Sequence, residues 1–218
     1  MSKKSQKIVI DTLRALSLDE IATAKSGHPG IALGAAPIIY TLFRNHLNIS
    51  PANPNYFNRD RFVLSAGHAS SLLYATMLCA GFKSLCVDDL KKFRQLNSKT
   101  AGHPEPHLIH GIEVASGPLG QGIAMAVGLA LAERKLAATY NEYGELVNHY
   151  TYCLHGDGCL QEGAALEAIA LAGKLRLNKL ILLYDSNDIQ LDGKVSESTV
   201  TNVSKLFKVN NWNYIKVK

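Results

Sequence analysis

Two short apolar runs, separated by one segment of helix length, limit the folds open to this chain. The first run, residues 149–155, ends at Gly156-Asp157-Gly158, and the second, residues 179–184, ends at Asp185-Ser186-Asn187. This pattern predicts two parallel strands joined by a crossover helix. Because parallel strands end at the same edge of a sheet, we expect the two polar motifs to lie close together.

Alternating strands and helices along the rest of the chain predict an α/β domain, with a mainly parallel sheet flanked by helices. The expected strands are residues 61–65, 149–155, 179–184 and 213–218. The expected helices are residues 4–25, 31–45, 70–80, a helix opening at Asp88, a helix from the glycine-rich run 117–122 to about 140, and helices over 160–174 and 199–208. Nothing follows the last strand to cover it. We therefore expect residues 1–218 to be one domain, incomplete at its C-terminal end.

Composition excludes several classes of protein. With 47% apolar and 19% charged residues, the chain is neither disordered nor fibrous. The net charge is +5, but the basic residues are scattered, so we do not expect nucleic-acid binding. The four cysteines lack the two-residue gap of zinc and redox motifs, and the start has no secretory pattern. These features favour a cytoplasmic protein without a membrane span.

The Gly156-Asp157-Gly158 motif is compatible with two structures. It can be a turn capped by aspartate, or a phosphate-binding loop in which glycines let an anion approach the backbone. The helix predicted over 160–174 would add positive potential at that point. Asn187 offers a second oxygen, and oxygen ligands carrying little charge suit Mg²⁺ or Ca²⁺ beside a diphosphate. Spacing alone leaves the capped turn and the metal–diphosphate site about equally supported.

Three histidines, His28, His68 and His103, each lie beside a glycine in a predicted loop. A lone histidine is more often structural, but three in such loops indicate hydrogen bonding to a substrate hydroxyl or proton exchange. His46, His107, His110, His149 and His155 lack this context and are interpreted as structural. Glu162 is explained by the dipole of the helix that it begins. The run 117–122 is either a tight turn or a backbone wall against a flat ring.

Seven motifs together resemble the diphosphate-binding domain of transketolase over nearly the whole chain. They are Lys25-Ser26-Gly27-His28-Pro29-Gly30, Ser65-Ala66-Gly67-His68-Ala69, Phe93-Arg94-Gln95, Gly102-His103-Pro104-Glu105, Gly117-Pro118-Leu119-Gly120-Gln121-Gly122, residues 156–163 and residues 184–193. The ordered set is far more specific than any one of its members.

The resemblance implies thiamine diphosphate bound through Mg²⁺, Ca²⁺ or another divalent cation. By that resemblance, Asp157, Asn187 and the Ile189 carbonyl would ligate the metal. The Gly158 N–H, Asn187 and His68 would hold the diphosphate. The aminopyrimidine would lie against the backbone of Gly117, Pro118 and Leu119.

The resemblance also implies catalytic roles and a reaction. His28 and His103 would contact donor sugar hydroxyls and assist proton transfers, and Glu162 would join a carboxylate relay across a subunit interface. The reaction would move a two-carbon ketol unit from a ketose phosphate to an aldose phosphate, in the pentose phosphate pathway. The expected partners are sugar phosphates and a second copy of the chain, in a homodimer with active sites at the interface. The cofactor would supply the carbanion chemistry.

Two departures from the family pattern stand out. Asp188 stands where the family usually has glycine, which adds a charge beside the metal loop. The family also needs a further histidine, a glutamate that activates the aminopyrimidine and arginines that grip the sugar phosphate, all of which lie beyond this stretch. The chain therefore resembles only about the first third of a transketolase, and we expect activity only in a complete dimer.

Three alternatives remain open from sequence. A deoxyxylulose phosphate synthase-like enzyme shares the fold, although Glu162-Gly163 and the run 117–122 favour transketolase. A non-catalytic binding subunit of a split enzyme belongs to a different functional class. A magnesium phosphohydrolase is less favoured, because it gives no role to the three glycine-flanked histidines.

Overall fold

The computed structural model describes residues 2–190 and 193–217, which form an α/β fold around a three-stranded parallel sheet. The strands are β1 (Arg61–Leu64), β2 (Thr151–Gly156) and β3 (Leu180–Asp185), in the order β1-β2-β3. The helices are α1 (Lys3–Ala24), α2 (Pro29–Gly34), α3 (Ala36–Asn45), α4 (Ser70–Ala80), α5 (Val87–Leu90), α6 (Gln121–Tyr140), α7 (Gly163–Leu175) and α8 (Val203–Val209). None of the described helices is both long and apolar enough to cross a membrane.

The sheet separates two hydrophobic cores. Leu64 and Leu154 pack into the first core with α1, α2, α3 and α4, whereas Val63 and Cys153 pack into the second with α6, α7 and α8. Successive side chains of a strand point to opposite faces, so neighbours such as Val63 and Leu64 enter different cores. A parallel sheet covered on both faces is the architecture that the sequence predicted.

The strand register brings the connecting loops to one edge of the sheet. Leu64 pairs with Leu154, and Gly156 pairs with Asp185, so β2 and β3 end level with each other. Short 3₁₀ turns follow β1 at Gly67–Ala69 and β2 at Asp157–Gln161. The polar motifs after all three strands therefore lie at the carboxyl edge, where α/β proteins bind their ligands.

The helix predicted over 31–45 is interrupted. It forms as α2 and α3, which meet at Ala35. Pro37 has no N–H to donate to the Leu33 carbonyl one turn earlier, and that carbonyl instead accepts a hydrogen bond from Arg14 Nε at 3.0 Å. The predicted helices over 160–174 and 199–208 are confirmed with later starts, at Gly163 and Val203.

The strand predicted at the end of the chain is wrong over residues 213–217, and Lys218 lies outside the described residues. Asn211 has a positive φ of 63°, which turns the backbone away from an extended path. The next residue, Trp212, donates from Nε1 to the Ile169 carbonyl on α7 at 2.9 Å and joins the second core. The segment is thus anchored to a helix rather than paired with β3.

Helix α1 buries an unpartnered acid. Glu20 is 2% exposed, and neither of its carboxylate oxygens has a hydrogen-bond partner among the described residues. Burial raises the pKa of this carboxyl to about 9. The side chain is therefore protonated at neutral pH, since an unpaired buried charge would be far more costly.

The packing of α6 against β1 leaves no room for a side chain at Gly122. A Cβ there would lie 2.5 Å from the Ser65 Cα, whereas a Cβ at Gly128 of the same helix would have nothing within 4 Å. We expect Gly122→Ala to lower the free energy of unfolding by about 1–3 kcal/mol, because backbone must move to admit the methyl group. The matched variant Gly128→Ala should raise it by up to about 1 kcal/mol through helix propensity. Urea unfolding of both variants measures the two effects, and equal stabilities would contradict the close contact.

Candidate active site

Asp157 presents one free oxygen at the end of β2. It is the first residue of the 3₁₀ turn and is buried. Its Oδ1 accepts a hydrogen bond from the Tyr184 hydroxyl, whereas its Oδ2 is buried without a partner among the described residues. A buried carboxylate oxygen without a partner is costly unless a ligand satisfies it, and a cation is the natural candidate.

The loop after β3 supplies neutral oxygens beside Asp157. Asn187 donates from Nδ2 to Asp185 Oδ2 at 3.2 Å, and its Oδ1 accepts from the Ile189 N–H at 3.0 Å. Burial raises the pKa of Asp185; the hydrogen bond from Asn187 lowers it and the nearby charge of Asp157 raises it. The two loops are therefore within electrostatic reach of each other.

Asp188 adopts a left-handed backbone conformation with a φ of 59°, and its side chain is exposed. Glycine adopts this conformation most readily, and aspartate is among the few other residues that tolerate it. The departure from the family pattern is therefore compatible with the same loop geometry. Leu191 and Asp192, which belong to the same motif, lie outside the described residues.

The predicted metal ligands fit a hard cation. Within residues 2–190 and 193–217, no three His, Cys, Asp or Glu side chains gather to hold a metal ion. The predicted set is of another kind, since it combines the Asp157 carboxylate with the Asn187 amide and the Ile189 carbonyl. Oxygen donors with a single charge leave coordination positions for phosphate oxygens and water, as Mg²⁺ requires.

The glycine-rich run 117–122 lies between two loops of the site. A Cβ at Gly117 would be 3.3 Å from His103 Cγ, and one at Gly158 would be 2.8 Å from Leu119 Cδ1. Gly120 has a φ of 80°, and its Cβ would be 2.5 Å from that of Glu162. This run therefore touches both the histidine loop and the turn after β2. The glycines of the run have no side chains to obstruct its backbone there, and Pro118 is exposed at its surface.

Glu162 caps the N-terminus of α7 with its backbone, and its side chain is exposed. Its carbonyl accepts hydrogen bonds from the Ala165 and Leu166 N–H groups, as expected at the start of a helix. The carboxylate faces outward from this chain.

The three predicted histidines gather into one cluster. The rings of His28 and His68 are 5.0 Å apart between centroids. Burial, together with the neighbouring His28 and His103, lowers the pKa of His68 to about 4. Burial, followed by the charge of Arg94, also lowers the pKa values of His28 and His103. Neutral imidazoles result, and each can donate one hydrogen bond and accept another.

Arg94 joins the loops that carry these histidines. Its Nη1 donates to Ser26 Oγ at 2.7 Å, and its Nη2 lies 3.4 Å from His28 Nδ1. A Cβ at Gly102 would lie 3.0 Å from Arg94 Nε, so the guanidinium also touches the His103 loop. Arg94 belongs to one of the sequence motifs, but the sequence does not indicate its role, because Ser26 and His28 are 68 and 66 residues away along the chain and Gly102 is 8 residues away.

Two further site residues escaped sequence reasoning. The sequence predicts Tyr184 as an apolar strand residue and His155 as a structural residue. Tyr184 contacts Asp157 through its hydroxyl, and the His155 ring stacks on the Tyr184 ring. The spacing of residues along the sequence indicates neither contact, because both arise from the pairing of adjacent strands.

Comparison with known proteins agrees with this geometry. Residues 5–218 match the family described as "Transketolase, thiamine diphosphate binding domain". The transketolase of Geobacillus stearothermophilus is 56% identical over 219 aligned positions, covering 100% of this chain and 33% of that protein. The transketolase of Bacillus subtilis is 55% identical and covers 98% of this chain and 32% of its own length. The chain thus spans about a third of these curated relatives.

Solved structures show the same fold. Transketolase from Leishmania mexicana superposes with a TM-score of 0.96 at 46% identity, over 100% of this chain and 32% of that one. Transketolase from Pichia stipitis in complex with sedoheptulose-7-phosphate gives a TM-score of 0.93 at 47% identity, over 97% of this chain and 31% of that one. The match of family, sequence and fold leads to one conclusion: this chain belongs to the transketolase family and is its thiamine diphosphate-binding domain.

Proposed function

We propose that this chain forms the diphosphate-binding half of a transketolase active site. The reaction is transfer of a two-carbon ketol unit from a ketose phosphate to an aldose phosphate in the pentose phosphate pathway. The observation that carries the proposal is the buried Oδ2 of Asp157, which has no partner in the described part of the chain and lies near the Asn187 loop at the carboxyl edge of the sheet. The sugar phosphate bound by the Pichia stipitis relative supports this substrate class.

The cofactor is held by three groups of residues. Asp157, Asn187 and the Ile189 carbonyl hold a divalent cation, and the Gly158 N–H, Asn187 and His68 hold the diphosphate. The 117–119 backbone borders the aminopyrimidine. When bound, thiamine diphosphate supplies the carbanion chemistry, and the protein supplies position and electrostatics.

His28 and His103 bind the donor sugar. Their lowered pKa values keep both rings neutral at pH 7, so each accepts a proton or hydrogen bond from a sugar hydroxyl through one nitrogen. Arg94 fixes the His28 loop through Ser26 and lies against the His103 loop. We assign these two histidines to donor orientation and proton transfer.

The site is completed outside this chain. Glu162 is exposed directly after the 3₁₀ turn that carries Asp157. This position suits a carboxylate relay across the interface of a cytoplasmic homodimer. The groups that activate the aminopyrimidine and grip the sugar phosphate belong to the remainder of the protein. The names of the relatives favour transketolase over a deoxyxylulose phosphate synthase-like enzyme.

The full-length protein should transfer a ketol unit from xylulose phosphate to an aldose phosphate, whereas residues 1–218 alone should show no transfer. The short chain lacks the groups that activate the cofactor, so catalysis should remain at background in a coupled assay of product formation. Pyruvate should not serve as donor for the full-length protein, and its use would indicate the synthase instead. Appreciable ketol transfer by residues 1–218 would contradict the shared active site.

A further inference from the structure

Tyr184 and His155 pack against each other next to Asp157, one of the proposed cation ligands. They are register partners on β3 and β2, and their rings stack at 5.2 Å with an angle of 6° between planes. His155 is fully buried, and its Nδ1 lies 3.3 Å from the Gly156 carbonyl. Packing therefore holds both rings in place. The Tyr184 hydroxyl is fixed where it meets Asp157.

This hydrogen bond makes the two oxygens of Asp157 unequal. Oδ1 is occupied by the phenol, whereas Oδ2 has no partner among the described residues. The bond from the phenol uses one lone pair of Oδ1 and fixes the orientation of the carboxylate, so that Oδ2 is the oxygen left to meet a cation. Rotation to a bidentate arrangement would require breaking the bond to Tyr184, whose ring is held against His155.

We propose that Tyr184 is a positioning residue that restricts Asp157 to monodentate ligation and so favours Mg²⁺ over Ca²⁺. The inference rests on the proposed cation site and goes beyond it by assigning the origin of cation preference. Mg²⁺ demands near-octahedral geometry with short bonds to single oxygens, whereas Ca²⁺ accepts more ligands and bidentate carboxylates. Residues that orient a metal ligand commonly change metal affinity 10- to 100-fold when replaced.

The test compares Kd values for Mg²⁺ and Ca²⁺ in the full-length protein, by calorimetry in the presence of thiamine diphosphate. Tyr184→Phe keeps the ring and its stack but removes the hydroxyl. The ratio of the Mg²⁺ Kd to the Ca²⁺ Kd should rise about 10-fold in this variant. Tyr152→Phe is the matched control, because Tyr152 lies on β2 away from the carboxyl edge and pairs with Ile181. The control should keep the parental ratio.

A spectroscopic readout separates positioning from a loss of stability. In the cation-bound parent, the splitting between the asymmetric and symmetric carboxylate stretches, assigned by difference from Asp157→Asn, should indicate monodentate ligation. In Tyr184→Phe bound to Ca²⁺ the splitting should shrink towards a bidentate value. An unchanged Kd ratio or an unchanged splitting in Tyr184→Phe would overturn the inference. If Asp157→Asn also left both cation affinities unchanged, the proposed cation site itself would fail.

Discussion

Asp157→Asn in the full-length protein is expected to weaken cation-dependent binding of thiamine diphosphate by about 100-fold or more. The substitution keeps the size of the side chain but removes the one negative charge from the proposed ligand set. It also places an amide against the Tyr184 hydroxyl, which donates to Asp157 Oδ1. Supporting residues alone can change metal affinity up to about 100-fold, and a direct ligand should matter at least as much.

Calorimetric titration of thiamine diphosphate, with and without Mg²⁺, measures this effect. Asp188→Asn is the matched control, because it makes the same change of charge in the neighbouring loop at an exposed position. Asparagine also tolerates the left-handed backbone at that residue. The control should bind within about twofold of the parent, since exposed charges are well screened. Equal losses in both variants would show that general charge, rather than ligation, controls binding.

Glu20→Gln is expected to stabilise the domain by about 3 kcal/mol at pH 7. The folded-state pKa of about 9 lies above the ordinary value of 4.5. Keeping the carboxyl protonated about 2.5 pH units above its ordinary pKa costs 1.36 kcal/mol per pH unit. Glutamine is neutral at every pH and avoids this cost, although its amide still lacks a partner in the same place.

The sign of the pH dependence follows from proton linkage. Between pH 4.5 and about 9 the folded state binds more protons at Glu20 than the unfolded state does, so stability falls as pH rises. The advantage of Glu20→Gln should therefore be small at pH 4.5, grow through pH 7 and level off near pH 9. Urea unfolding at several pH values measures the difference. Glu167→Gln, an exposed change on α7, is the control and should show no such growth. A constant difference between Glu20→Gln and the parent would contradict a buried neutral acid.

The parts of the fold that follow from local chemistry were predicted from sequence. The apolar runs at β1, β2 and β3 and the helical spacing of apolar residues in α1 matched the structure, because burial dictates the residue pattern, and the helices predicted at α4 and α6 also form. The end segment was predicted wrongly, since apolar alternation over 213–217 does not reveal that Trp212 anchors the chain to α7. The break between α2 and α3 depends on Arg14, a partner far along the chain.

Part of the candidate site was likewise predictable from the sequence, and part was not. The convergence of Gly156-Asp157-Gly158 with Asp185-Ser186-Asn187 was predictable because the ends of parallel strands meet at one edge, and His28, His68 and His103 lie close together in the structure. Tyr184 and Arg94 were not predictable. Their roles depend on which strand pairs with which, and on how two loops approach a third. These contacts depend on the tertiary structure, and local sequence patterns do not indicate them.

The two cores on either side of the sheet support different parts of the active site. The histidine cluster rests on the first core, through neighbours such as Ile31 and Ala69, whereas the turn that carries Asp157 rests on the second, through Cys159 and Leu160. Packing changes around one core reach the other through the sheet and through the glycine-rich run 117–122, which touches both parts. Substitutions in the first core are therefore expected to disturb the histidine cluster more than the turn that carries Asp157, and substitutions in the second core should have the opposite bias.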